Sequence, residues 1–126
     1  MKLNIILIAI GGALGSVLRY LTSLYVSRQF TVFSFPYGTF TVNVIGCFII
    51  GVLYGLSERS QWLSQPGRLL LITGFCGGFT TFSAFAYENA KMLQQTHYAA
   101  FAVYTVLSCT LCIAMVFAGL SVTKWL

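Results

Sequence analysis

The residues best equipped for chemistry in this chain lie in one run, Gly74-Phe75-Cys76-Gly77-Gly78-Phe79-Thr80-Thr81-Phe82-Ser83-Ala84-Phe85. Adjacent glycines followed by two β-branched threonines make a poor continuous helix. A break here frees backbone carbonyls, and freed carbonyls coordinate small cations such as Na⁺. The competing reading is an intact helix whose glycines serve close packing. Phe79, Phe82 and Phe85 lie three apart, on one face of the returning helix. Such a stripe either packs a core or turns its positive ring edges to an anion, without a fixed charge that would trap it.

Other polar residues also share helix faces. Thr39 and Asn43 are four apart. An amide buried among apolar residues needs partners. Asn43 is therefore either glue between helices or a ligand for something passing, its NH₂ offering two donors. Tyr104, Ser108 and Cys112 are again four apart, a line of donors that could replace hydration water along a path. Alternatively, the hydroxyls bond back to their own helix. Arg19 either draws anions into a vestibule or extends its head to an interface. Glu88, three after Phe85, either organises the polar line or faces water near a helix end.

Enzymatic chemistry is not indicated. His97 is the only histidine, and the two carboxylates, Glu58 and Glu88, are far apart in sequence. No nucleophile–base set, phosphate loop or metal motif occurs. Cys47, Cys76, Cys109 and Cys112 all lie in apolar runs. The Cys109-x-x-Cys112 pair has no second pair or histidine at zinc spacing, so the cysteines read as small polarizable packing residues.

These groups must be held in an apolar medium. The sequence is 58% hydrophobic and 7% charged, whereas soluble domains carry roughly a quarter charged residues. The bilayer supplies what a soluble core cannot. A helix needs about 20 apolar residues to cross a hydrocarbon core of about 30 Å. Charges divide the chain into four such spans, near 3–25, 37–57, 67–92 and 98–123, the second entered after Pro36. Residues 1–16 look superficially like a signal peptide, but apolar character resumes after Arg19, so they read as part of the first span. Connectors 27–35, 58–66 and 93–97 are too short to hold a domain, which makes 1–126 a single four-helix module. Gly11 and Gly15, Gly51 and Gly55, and Gly74 and Gly78 have the small-xxx-small spacing of close helix contacts.

The seven basic residues are scattered singly, so the net charge of +5 does not point to nucleic acid. With four spans, Lys2, Arg59, Arg68 and Lys124 share one side of the membrane, against Arg28, Lys91 and Arg19 towards the other. That bias is weak. A chain that inserts both ways can pair as an antiparallel dimer.

Gly11-Gly12-Ala13-Leu14-Gly15-Ser16 through Arg19-Tyr20, Gly38-Thr39-Phe40 through Asn43 and Gly46, and the run from Gly74 to Ser83 together resemble the Fluc (CrcB) family of fluoride channels. Length, number of spans and order of motifs agree over essentially the whole chain. The resemblance implies an all-α membrane protein: four transmembrane helices with a broken third helix, paired as an antiparallel dual-topology homodimer in a prokaryotic inner membrane. It implies two fluoride pores, each built from both subunits. Phe82 and Phe85 would present ring edges to fluoride, and Asn43 would be the amide donor. Thr39, Ser83, Tyr104 and Ser108 would form a polar track, with Arg19 near a vestibule. Backbone carbonyls of Gly77 and Thr80 would hold a structural Na⁺ at the dimer interface. Cys112 departs from the expected pattern, a thiol standing where a stronger hydroxyl donor is expected.

The implied partners are fluoride, a second copy and the lipid bilayer, with no nucleic acid. The implied function is passive export. Neutral HF crosses lipid and ionises inside, and an open path lets fluoride leave, helped by a negative interior worth about 2.3 kcal/mol per charge at 100 mV. A small dual-topology proton-coupled drug or cation exporter is the rival, but it needs a carboxylate within the membrane. The first span has none, and Glu88 comes late in the third. A purely structural subunit would account for the glycines but not for the polar groups beside the Gly-Gly-x-Thr-Thr run.

Overall fold

The computed structural model describes residues 1–30, 35–59 and 63–126. Parts of two expected connectors, 31–34 and 60–62, lie outside the described residues. Among the described residues the protein is all-helical.

Helix α1, Lys2–Gln29, runs beyond the expected first span at both ends. Helical hydrogen bonding continues past the last apolar residue, closing with Phe30 N–H on Val26 O at 3.0 Å. Helix α2, Tyr37–Arg59, starts where Pro36 predicts, the Pro36 carbonyl accepting from Phe40 N–H at 3.1 Å.

The third stretch is less regular. It opens with α3, Gln65–Arg68, with proline in its first turn. It then widens into a π-helical segment, Leu69–Cys76, and tightens again into the single turn α4, Gly77–Phe79. Thr80 (φ −84°, ψ 154°) and Thr81 (φ −149°, ψ 119°) are extended, and helix α5 then runs Phe82–Gln94. After a short turn α6 spans Tyr98–Val122 and ends in a 3₁₀ turn, Thr123–Trp125. Four stretches, Lys2–Gln29, Tyr37–Arg59, Gln65–Gln94 and Tyr98–Trp125, are long and apolar enough to cross a membrane.

The burial pattern suits lipid. Leu14, Val106 and Phe117 are each more than half exposed, while the fully buried large side chains are Tyr104, Val42 and Cys76. Helices are drawn together by backbone approach rather than by a large apolar interior. The principal pairings are α1 on the π segment and α2 on α6. A Cβ at Gly15 would collide with the carbonyl oxygen of Phe75, so only glycine admits that approach. Gly51 meets the carbonyl of Val116 in the same way, and Gly55 meets Thr123, so α2 and α6 run parallel.

Gly15→Ala is expected to destabilise the protein by about 1–3 kcal/mol, the usual cost of overpacking. Gly77→Ala, where no atom of the described residues lies within 4 Å of an added Cβ, should leave stability within about 1 kcal/mol. Thermal unfolding of both variants in detergent would compare them, and equal losses would contradict the α1 packing described.

Candidate functional site

The extended pair at Thr80 and Thr81 is the centre of the site. Two backbone groups leaving a helix inside an apolar region must find partners. Asn43, on α2, provides both: its Nδ2 donates to Thr81 O at 3.0 Å, and Thr81 N–H donates to its Oδ1 at 2.8 Å. The side-chain amide therefore pairs with the Thr81 backbone as one strand residue pairs with another. One amide proton is spent in this way, and the other remains for a ligand.

That pairing diverts two donors. In an unbroken helix Thr81 N–H would serve the Gly77 carbonyl, but it serves Asn43 instead. Ala84 N–H would serve the Thr80 carbonyl, but it donates to Thr81 Oγ1 at 3.2 Å and so caps α5. Thr80 itself turns inward, its N–H and Oγ1 donating to Cys76 O at 2.9 and 2.8 Å. The carbonyls of Gly77 and Thr80 have thus lost their helical partners, which makes them competent ligands for a hard cation. Gly77 is exposed.

Beside the extended pair lies a cavity of about 350 Å³ lined by Asn43, Cys47, Thr81, Phe82, Phe85, Ser108 and Cys112, among others. Phe82 is 78% exposed, and its ring centroid is 5.6 Å from that of Phe85. Phe85 in turn packs on Tyr104, at 5.1 Å. Tyr104 and Ser108 are buried; the Tyr104 hydroxyl lies beside the Glu88 carboxyl, and among the described residues that of Ser108 has no hydrogen-bond partner. Buried polar atoms seldom go unmatched, so such atoms ask for a ligand, water or another chain.

At the end of the line beyond Tyr104, Thr39 Oγ1 donates to Oε1 of Glu88. Tyr104 interacts with the same carboxyl and with Thr39. Glu88 thus joins the polar line rather than simply facing water.

Asn43, Phe82, Phe85 and Ser108 come together at the cavity, with Tyr104 adjoining through Phe85. Ser83 is exposed, its Oγ 3.3 Å from Thr81 Oγ1. Arg19 is half-buried on α1 and does not line the cavity.

Phe79 corrects the expected stripe. It precedes the extended residues, is 5% exposed and stacks on Phe75 at 5.8 Å. Spacing by three holds a common face only while the helix is continuous, and two extended residues intervene here. Asn89 was not expected to contribute: it is buried and accepts from Thr105 Oγ1 at 3.2 Å, tying α5 to α6.

Fold and site together define a polytopic membrane protein with a polar line and, beside it, an open cavity lined in part by aromatic rings. Residues 6–120 match the model of the family described as "CrcB-like protein, Camphor Resistance (CrcB)". Relatives named "Fluoride-specific ion channel FluC" match nearly end to end. The one from Azobacteroides pseudotrichonymphae is 42% identical, with 97% of each chain covered. That from Leptospira interrogans is 44% identical over 96% of this chain and 94% of its own. That from Gloeothece citriformis is 46% identical over 97% and 98%. This chain belongs to the CrcB family, as a multi-pass protein of the bacterial inner membrane.

Asn43→Leu strands two backbone groups of Thr81 and should cost about 2–6 kcal/mol of stability, at 1–3 for each unmet group. Ser83→Ala, at an exposed position, should cost under about 0.5 kcal/mol. Unfolding midpoints of the two variants would show the difference, and a harmless Asn43→Leu would refute the bracket.

Proposed function

We propose that this protein is a fluoride-selective channel that releases fluoride passively down its electrochemical gradient and so lowers fluoride inside the cell. The names of its close relatives support a fluoride channel over a proton-coupled exporter. The observation that carries the reading is a line of donors: the buried Ser108 hydroxyl, without a partner among the described residues, and Asn43 with one amide proton to spare, with the Tyr104 hydroxyl a turn away beside Glu88.

Fluoride is small and tightly hydrated. A path that conducts it must replace its water with donors, at positions too narrow for larger halides. Tyr104, Ser108 and Asn43 supply O–H and N–H groups. Phe82 and Phe85 supply positive ring edges, which attract an anion without holding it. Thr39 gives its proton to Glu88 and so fixes the far end of the line. Ser83 offers a hydroxyl beside Thr81 at the exposed start of α5. Arg19 raises the local anion concentration at the mouth.

We further propose that the third span works as a broken helix in a single four-helix channel domain, and that two copies pair antiparallel. Near-balanced charge at the two membrane sides supports dual insertion. Phe82, so exposed in one chain, would then line a pathway shared with the second copy. The carbonyls of Gly77 and Thr80 would hold Na⁺ between copies, and their diverted donors support that role. A bound Na⁺ offsets the partial negative charge of carbonyls brought together.

Purified protein in liposomes should release fluoride rapidly, with negligible chloride, when the potential is clamped by an ionophore. Tyr104→Phe and Ser108→Ala should each lower fluoride flux about tenfold or more, as expected for a lost donor at a narrow site. No fluoride release from folded wild-type protein would overturn the proposal.

A further inference from the structure

The polar line has a rung that fluoride conduction leaves unused. Along the parallel α2–α6 contact, Thr39 stands level with Tyr104, Asn43 with Ser108, Cys47 with Cys112 and Gly51 with Val116, each pair sixty-five positions apart. The first pair meets at Glu88. The second flanks the cavity. The third is a pair of thiols that interact with one another and face the same cavity. Cys76 also lies within electrostatic reach of Cys47, but it is fully buried and does not line the cavity. Cys109 lines the cavity and is exposed.

We propose that Cys47 and Cys112 form a two-coordinate site for a divalent thiophilic cation of the mercuric type, and that filling it closes the anion pathway. Soft thiolates select soft cations. Zinc wants four ligands, and among the described residues no group of three or more His, Cys, Asp or Glu is placed to hold a metal. A d¹⁰ mercuric ion is content with two sulfurs in line. The reaction balances without a redox step: two thiols lose their protons to water, two S–Hg bonds form, and an S–Hg–S bridge results. The bridge carries no net charge, as a largely apolar wall requires. It stands one helical turn from Ser108, in a cavity also lined by Phe82 and Phe85, where a bulky group narrows the space for an anion. Binding stands on geometry alone, whereas closure rests on the channel reading above.

The test uses the full chain in liposomes, with mercuric chloride as the probe and Cys109→Ala as background, because an exposed thiol takes metal by itself. The S→Hg charge-transfer absorbance should saturate at one equivalent per chain, with two thiols consumed. Adding Cys47→Ala or Cys112→Ala should abolish that signature, and adding Cys76→Ala should preserve it. Fluoride flux at one equivalent should fall at least tenfold and return with excess dithiothreitol. In Cys47→Ala and Cys112→Ala it should fall less than twofold, each relative to its own metal-free flux. A signature that survives Cys112→Ala, or that needs Cys76, overturns the site. A saturated signature with undiminished flux overturns closure alone. A protein that conducts no fluoride before metal is added fails the channel reading and closure with it, while the absorbance still decides the site.

Discussion

Much of this structure depends on one exchange of hydrogen bonds, that between the Asn43 side chain and the backbone of Thr81. In hydrocarbon an unmet N–H or C=O costs several kcal/mol, so a chain cannot leave a helix there without compensation. Asn is suited to that task because its amide carries a donor and an acceptor in the geometry of a peptide group. A threonine or serine at position 43 would meet at most one of the two groups well. An aspartate would meet the N–H and repel the carbonyl.

Once Thr81 is held extended, other features follow from it. Its hydroxyl is placed to cap α5 through Ala84, so the new helix starts with one of its orphan donors satisfied. The rotation between α4 and α5 parts Phe79 from Phe82: one ring goes into the packing beneath Gly46, the other outward. The amides that would have closed on Gly77 and Thr80 are committed elsewhere. Asn43 therefore does two things through one side chain. It holds the irregular backbone, and it presents its remaining proton beside the phenylalanines. The two readings open for Asn43 in the sequence, glue or ligand, are compatible because the amide has two protons.

The spans were legible in the sequence because composition and charge spacing report burial in lipid directly. The bounds were not, since α1 keeps its helical hydrogen bonds through Ser27 and Arg28 after the apolar run has ended. The unusual run from Gly74 marked the right place, since Gly-Gly-x-Thr-Thr is poor helix on local grounds. What local grounds could not reveal was the partner. Thr81 finds Asn43 thirty-eight positions away, and Glu88 finds Thr39 forty-nine away, contacts that only packing specifies. The π-helical winding from Leu69 to Cys76 left no sequence signal that we recognise.

The same limit applies to the register of α2 on α6. Spacing by four within each helix was visible in Thr39 and Asn43, and separately in Tyr104, Ser108 and Cys112. Their pairing across the interface needed the close approach at Gly51, where a side chain of any size would push the helices apart and slide the rows past one another. Glycine here does positional work for residues a full turn or more away. With the register set, the orphaned hydroxyl of Ser108 acquires a physical meaning. A buried hydroxyl that could bond its own helix or a neighbour would be content, and would resist giving its proton to a transient anion. Left without a partner among the described residues, it gains by meeting one. A donor so placed lowers the cost of stripping water from a small anion, because at Ser108 the protein side of the exchange gives up no existing bond.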